Sequence, residues 1–378
     1  MKRVTFHVGA PKTGTTYLQR ILWANRERLA ADGVLYPLDE ADEYLGPSAD
    51  LCQRAWGGRP NPAWVGAWDR LAAMVRDWSG GRAIYSSELM GLATPAQAAR
   101  AVESVQPAEV HLVYTARDLA RQIPSEWQEQ IKHRHTVPYN RYVDDLVRLG
   151  FDAPAPFGEL FWGLHDPVYV LDRWSGVVPP SRIHVVIIPQ QHLEDDHLWR
   201  SFAGASGIDP QRYEVAVSNY NTSMGVAETE FLRRFNLATN SWLGHEVGPA
   251  INRLLGQEIL AQQDQASPLR LPPEHRAWVR DRAVDMRDEL LKRGYEVIGE
   301  PDDLVPPALA GATEDPEASI RPETLLPRAI NAVAYRAVGR LLEEIVSLRR
   351  RTRTLANRIE SREPGALTQV DHEMSDRD

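Results

Sequence analysis

Apolar residues along this chain follow two alternating patterns. Short runs of consecutive apolar, often β-branched residues predict strands covered on both faces, at 3–8, 82–86, 109–115 and 182–188. Between them, apolar positions recur at helical spacing, which predicts a helix from Thr94-Pro95 and others at 15–32, 62–78, 118–135, 165–175, 224–238, 247–263 and 274–293. Because strands alternate with helices, we expect an α/β fold with a central parallel sheet and right-handed crossovers.

The pattern changes near residue 300 and divides the chain into unequal parts. We expect one α/β domain over 1–300, followed by a linker or surface strap over 301–327, which is rich in Pro, Ala and Glu. A C-terminal helical extension is predicted over 328–360. The polar stretch 361–378 is typical of a disordered tail.

The predicted C-terminal helix carries apolar residues at alternating spacings of three and four. The set comprises Val338, Leu341, Ile345, Leu348, Leu355 and Ile359, with Thr352 at the remaining step. Such spacing is typical of a short coiled coil, which would form a homodimer through this helix. A terminal helix packed against its own domain is the alternative.

Composition narrows the function classes. The chain has 378 residues, a net charge of −9 and a single cysteine, Cys52. The negative charge gives no support to a nucleic-acid partner, and one cysteine excludes an internal disulfide. The sequence contains no apolar run of the roughly 18 residues that predict a membrane span, and its first strand begins too early to leave room for a signal peptide. We therefore expect a cytoplasmic protein.

The first strand leads through a Gly/Pro loop directly into a helix. Gly9 and Gly14 match the glycines of G-x-x-x-x-G-K-[ST], but position 15 is Thr and the lysine is Lys12. Amide groups at a helix start point toward one place, which favours an anion. The main-chain amides of residues 13–16 and the hydroxyls of Thr13, Thr15 and Thr16 should surround that place, and Lys12 adds a positive charge. The pattern predicts a site for a phosphate-like group.

A second group of polar residues follows the strand at 109–115. Arg117 comes at the carboxyl end of this strand, where doubly wound sheets bind their ligands. Ser125 follows eight residues later, in the next predicted helix. An arginine and a hydroxyl that meet on one phosphate are a sound chemical pairing.

Together the two groups resemble the sulfotransferases that use 3′-phosphoadenosine 5′-phosphosulfate (PAPS). The 5′-phosphosulfate loop of that family has the form P-K-[ST]-G-[ST]-T, which residues 11–16 match throughout. Its 3′-phosphate site is an Arg at a strand end and a Ser eight residues later, as in Arg117 and Ser125. The resemblance covers residues 1–135 and implies a bacterial, P-loop-like α/β enzyme.

The resemblance also assigns roles. It implies that PAPS is bound by Lys12, Thr13, Gly14, Thr15, Thr16, Arg117 and Ser125. It further implies transfer of a sulfuryl group to a hydroxyl, or less readily an amine, of a carbohydrate, glycolipid or small molecule. No metal is required, since Lys12 and the helix start stabilise the leaving phosphate. Glu88, at the end of the strand 82–86, is the expected catalytic base, as in the carbohydrate-type enzymes. The cytosolic small-molecule type has a histidine there.

Several polar and aromatic residues are left with open interpretations. The R-K-G-x-x-G-D-W segment of the cytosolic type is absent, so Asn221 and Ser223 are the suggested further contacts to the nucleotide. His133 and His135 could reach an acceptor or could end a solvated helix. His7 and His111 are expected in the core. Core packing is also favoured over acceptor stacking for most of Trp56, Trp64, Trp68, Trp127 and Trp162.

Two other functions compete with this interpretation. A small P-loop kinase would need a lysine after Gly14 and a strand that ends in Asp to hold Mg²⁺. The strand 182–188 is instead followed by Pro189-Gln190. The other alternative is a non-catalytic nucleotide-binding or scaffold protein that assembles through its C-terminal helix.

Overall fold

A computed structural model describes residues 1–38, 43–54, 61–191, 194, 196–215, 224–244, 247–262, 267–307 and 321–360. The chain forms a six-stranded, all-parallel sheet in the order β2-β3-β1-β4-β5-β6. The strands are β1 (Arg3–His7), β2 (Val34–Leu35), β3 (Arg82–Ser86), β4 (Glu109–Ala116), β5 (Ile183–Ile187) and β6 (Glu296–Ile298). The predicted α/β class and P-loop-like parallel sheet are confirmed. The short edge strands β2 and β6 were not predicted.

Helices cover the sheet, as parallel strands require. They are α1 (Thr15–Ala24), α2 (Arg26–Ala31), α3 (Gly46–Cys52), α4 (Ala67–Asp77), α5 (Pro95–Ser104), α6 (Leu119–Lys132), α7 (Tyr139–Leu149), α8 (Phe157–His165), α9 (Pro167–Ser175), α10 (His197–Ala205), α11 (Val226–Thr239), α12 (Gly248–Ala250), α13 (Arg276–Lys292) and α14 (Pro327–Glu360). A π-helix, Ile251–Leu260, follows α12.

Local hydrogen bonds explain where helices begin and break. Helix α5 starts at the predicted position, and Thr94 and Gln97 form a reciprocal capping box there. The predicted helix 15–32 is instead two helices, because the buried Asn25 side chain bonds the carbonyl of Ile21 (2.9 Å) and that of Glu214 (2.8 Å). The predicted helix 165–175 begins later, since Asp166 caps α9 after α8 has ended.

The sheet order makes β1 the strand at which the chain changes from one side of the sheet to the other. The chain passes from β1 to β2 and β3 on one side, then crosses to β4 on the other. The carboxyl ends of β1, β3 and β4 therefore lie side by side. They carry the loop 8–14, Glu88 and Arg117, respectively.

The core has two main parts, one around the sheet and one among the helices α6, α7, α11 and α13. Trp68 and Trp127 are fully buried and Trp162 is 3% exposed, which confirms core packing for these three. Trp64 is partly buried, and Trp56 lies outside the described residues. His7 and His111 are buried, as predicted.

The C-terminal helix α14 packs on the domain along its first half. Ile330, Val333 and Ala337 are buried, against α11 and the π-helix. Of the predicted strap, 301–307 contributes the buried Leu304 and Val305 to the body. The stretch 308–320 and the predicted tail 361–378 lie outside the described residues.

Candidate active site

The loop between β1 and α1 is held against β4. The amide of Ala10 donates to the carbonyl of Thr115 (2.8 Å), and the amide of Thr115 donates to the carbonyl of Gly9 (2.7 Å). The Thr115 hydroxyl donates to the same Gly9 carbonyl at 2.9 Å. Because β4 is a buried strand of the sheet, these bonds fix the loop to a rigid support.

The backbone of this loop adopts conformations suited to an anion. Gly9, Lys12 and Gly14 have φ values of 120°, 62° and 92°. Glycine accepts such angles freely, whereas a lysine pays about 1–3 kcal/mol, which other contacts must offset. Left-handed residues turn successive amide groups to one side. The following helix α1 has no acidic residue in its first turn, so the positive end of its dipole faces the loop unopposed.

The threonines of the loop have different environments. Thr13 and Thr15 are buried, while Thr16 is exposed. The hydroxyl of Thr13 donates to the carbonyl of Ala10 at 2.6 Å and contacts the hydroxyl of Thr115. The side chain of Thr13 thus braces the loop, in contrast to the prediction that all three hydroxyls face one point.

Arg117 joins the two predicted groups of residues. Its Nη1 atom donates to the main-chain oxygen of Lys12 (3.2 Å) and to the Ser125 hydroxyl (3.4 Å). The Ser125 hydroxyl donates in turn to the carbonyl of Arg121 at 2.8 Å. Burial lowers the pKa of Arg117 to about 10, and the positive charge of Arg121 adds to this effect. Arg117 remains a cation at neutral pH, and these two hydrogen bonds go to uncharged oxygens.

A glutamate on α6 holds the catalytic lysine candidate. Lys12 Nζ lies 2.5 Å from Glu129 Oε2. Lys132 Nζ contacts the same oxygen at 3.3 Å, and His133 Nε2 lies 3.3 Å from Glu129 Oε1. One carboxylate therefore serves two of the four lysines in the chain.

The charges in this cluster affect one another strongly. Burial opposes the charge on Lys12, but Glu129 outweighs burial and leaves the pKa of Lys12 raised. Burial also opposes the charge on Glu129, yet Lys12 and then Lys132 hold its pKa well below the usual range. For Lys132, burial prevails and the pKa is lowered. Lys12 and Glu129 thus form a charged pair at neutral pH.

Glu88 has the opposite tendency. It lies two residues beyond the end of β3 and is half-buried, and its Oε2 accepts a hydrogen bond from Gln19 Nε2 on α1 (3.3 Å). Burial raises the pKa of Glu88, and this effect exceeds the opposing effects of its own amide, Gln19 and Lys12. Two carboxylates near Lys12 therefore differ in proton affinity, an arrangement often found where one of them transfers protons.

Helix α6 is anchored to the loop by buried side chains. Gln122 Nε2 donates to the carbonyl of Pro11 (2.9 Å) and lies 2.8 Å from His165 Nδ1. His165 Nε2 lies 3.2 Å from Glu126 Oε2. Because the Gln122 amide donates to His165 Nδ1, the ring proton of His165 is on Nε2, where it is directed at Glu126. This network supports the site from behind.

Other predicted contacts fall elsewhere. His133 belongs to the Glu129 cluster, whereas the His135 ring packs edge-on against Phe157 at 5.1 Å. Asn221 and Ser223 lie outside the described residues.

Sequence reasoning missed Glu129 and the Gln122–His165–Glu126 network. For Glu129 a signal existed: it follows Ser125 by four residues, so the two share a helix face. For His165 there was none, because its partners lie 39 and 43 residues away.

Neither protein-family models nor curated proteins match this chain. Within the described residues, no helix combines the length and apolar character needed to cross a bilayer.

Proposed function

We propose that this protein is a bacterial, cytoplasmic sulfotransferase that transfers a sulfuryl group from PAPS to an acceptor hydroxyl. One observation carries the proposal. Arg117 donates to both the main chain of Lys12 and the hydroxyl of Ser125, which brings motifs about a hundred residues apart into a single site. The resemblance of residues 11–16 to the 5′-phosphosulfate loop is the reason for proposing PAPS as the sulfuryl donor.

The donor set suits a nucleotide with two anionic ends. Loop amides, the start of α1 and Lys12 would hold the 5′-phosphosulfate. Arg117 and Ser125 would hold the 3′-phosphate, since an arginine binds phosphate through several directed hydrogen bonds. In the described structure Glu129 balances Lys12. The ammonium group would exchange this partner for the phosphosulfate.

The chemistry follows from the charges. When bound, PAPS supplies a sulfuryl group whose bond to the 5′-phosphate oxygen breaks as a bond to the acceptor oxygen forms. Lys12 and the amides of α1 would stabilise the negative charge left on the phosphate. These groups would supply the positive charge that Mg²⁺ provides in phosphoryl transfer, so the proposal includes no metal.

Glu88 would accept the acceptor proton. Burial raises the pKa of Glu88, which makes its carboxylate a stronger base than an ordinary glutamate. We propose a hydroxyl of a carbohydrate, a glycolipid or a small molecule as the acceptor, because a hydroxyl must lose its proton to a base as the new bond forms. Trp68, Trp127 and Trp162 are core residues and do not mark the acceptor.

A transfer assay tests the proposal. The protein is incubated with sulfur-labelled PAPS and a panel of sugar, glycolipid and phenolic acceptors, and both labelled product and adenosine 3′,5′-bisphosphate are measured. We expect equal amounts of the two, and Glu88→Gln should lose product while it still binds the nucleotide. Magnesium-dependent ATP turnover without PAPS binding would instead favour a kinase. Binding of a nucleotide with no transfer to any acceptor would favour a scaffold.

A further inference from the structure

The second half of α14 exposes apolar side chains. Up to Ala337 its apolar face is buried against α11 and the π-helix, and Leu341 is the last residue partly covered by that core. Beyond it, Ile345, Leu348 and Leu355 are 45%, 55% and 56% exposed. An apolar stripe of this kind on a projecting helix marks an interaction surface.

The stripe has the residue types of a two-stranded coiled coil. In heptad notation its a positions are Val338, Ile345 and Thr352, and its d positions are Leu341, Leu348 and Leu355. β-Branched residues at a with leucine at d favour parallel dimers. Charged residues flank the stripe at Glu344, Arg349 and Arg351, although the flanking e position of the preceding heptad is the exposed Leu342.

The flanking charges favour a parallel arrangement. In a parallel pair, a g residue faces the e residue five positions later in the other chain, so Glu344 meets Arg349 of the second copy twice over. If Ile345, Leu348, Thr352 and Leu355 paired in an antiparallel arrangement, Arg349 of one copy would lie against Arg349 of the other. Arg351 would likewise lie against Arg351 of the second copy. Such like-charge contacts are unfavourable.

We propose that α14 pairs with α14 of a second copy of this chain as a parallel coiled coil over residues 341–355. The paired segment would be about 21 Å long at 1.5 Å per residue. Both α/β bodies would lie at the same end of the coiled coil. The inference is independent of the proposed sulfuryl transfer.

Disulfide formation tests the arrangement. The single cysteine, Cys52, is 5% exposed, so an introduced cysteine on α14 would be the reactive one. Thr352 and Thr354 are both exposed, and each hydroxyl donates to the carbonyl four residues earlier at 2.9 Å. They differ in heptad position, because Thr352 is at a and Thr354 is at the outward c position. T352C should form disulfide-linked dimers under mild oxidation, and T354C should not. Equal cross-linking of the two variants, or none, would overturn the parallel pairing.

A second matched pair tests dimerisation itself. Ile345 lies in the stripe, while its exposed neighbour Val346 is at the outward b position. Sedimentation velocity should show the dimer mass for the wild type and V346D, and half that mass for I345D. A monomeric wild type would refute the proposal. A monomer that cosediments with phosphatidylserine vesicles would also refute it, because Arg349 and Arg351 would then bind anionic lipid and not a second copy of the chain.

Discussion

The two ends of the sheet both carry clusters of charged residues, and they differ in how the charges are used. At the amino end, the rings of His111 and His184 stack at 5.3 Å and share a 2.9 Å contact. Glu109 bonds His111 at 2.8 Å, and Glu296 bonds His184 at 2.5 Å. Arg182 also pairs with Glu109 at 2.9 Å, and Arg3 Nη2 lies 3.5 Å from His184 Nε2. The cluster therefore links β4, β5 and β6 through contacts among its own members.

At the carboxyl end, by contrast, cationic side chains lie around a loop with positive φ angles. Lys12 and Lys132 share Glu129, and Arg117 bonds only neutral oxygens in the described contacts. We interpret the hydrogen-bonded cluster at the amino end as a stabiliser of the fold, and the cations beside the fixed loop at the carboxyl end as groups that can bind an anion. The comparison predicts that changes at the carboxyl end reduce function, and that changes at the amino end reduce stability.

The largest effect is expected for Glu88→Gln, which removes the proposed base. Transfer should fall by about 10³-fold with PAPS binding retained.

In the wild type, transfer should also fall as pH decreases through the pKa of Glu88, because the protonated form cannot accept a proton. Since burial raises that pKa, this limb should lie above the ordinary glutamate value of about 4.3. A pH–rate profile of wild type measures it. An acid limb at or below that value would argue against Glu88.

A somewhat smaller effect is expected for Lys12→Met. Loss of one charged donor at the leaving oxygen should reduce transfer by about 10²-fold, measured as the single-turnover rate at saturating PAPS. Lys132→Met is the matched control. Lys132 pairs with the same carboxylate, Glu129, but it lies at the end of α6 and has no proposed contact with PAPS. The control variant should transfer at close to the wild-type rate. Equal losses in both variants would show that the cluster acts through structure alone.

For Arg117→Ala we expect a change in binding that is confined to one phosphate. Charge-assisted hydrogen bonds contribute about 1.5–3 kcal/mol, so adenosine 3′,5′-bisphosphate should bind about 10- to 100-fold more weakly. Adenosine 5′-phosphosulfate, which lacks the 3′-phosphate, should bind the variant as well as the wild type. Competition against a fluorescent nucleotide measures both. Parallel losses for the two ligands would remove Arg117 from the 3′-phosphate site.

The smallest effect on activity is expected at the amino end. His184→Gln breaks the contacts to His111 and Glu296 and should destabilise the protein by about 1–2 kcal/mol, as measured by urea unfolding. Transfer by the folded protein should be unchanged. A loss of transfer at full stability would mean that the two ends of the sheet are coupled.

Sequence patterns were sufficient for the parts of the molecule that repeat a simple rule. The apolar runs predicted the four longer strands, and alternation with helices predicted the parallel sheet. The strand β2 has two residues and β6 has three, too few to show a period. The break at Asn25 depends on Glu214, which no local pattern reveals.

The same distinction applies to the site. The position of Lys12, Glu88, Arg117 and Ser125 at one edge of the sheet was predictable, because each follows a strand end or belongs to a motif with fixed spacing. The pairing of Lys12 with Glu129 was not, because it joins residues 117 positions apart and depends on how α6 packs against the loop.

The central claim is that the carboxyl end of the sheet binds a 3′-phosphorylated adenine nucleotide. Isothermal titration of wild-type protein in EDTA, with adenosine 3′,5′-bisphosphate in one experiment and adenosine 5′-monophosphate in another, tests it most directly. We predict saturable binding of the bisphosphate, with the monophosphate at least about tenfold weaker. No binding of the bisphosphate, or equal binding of the two nucleotides, would contradict the claim.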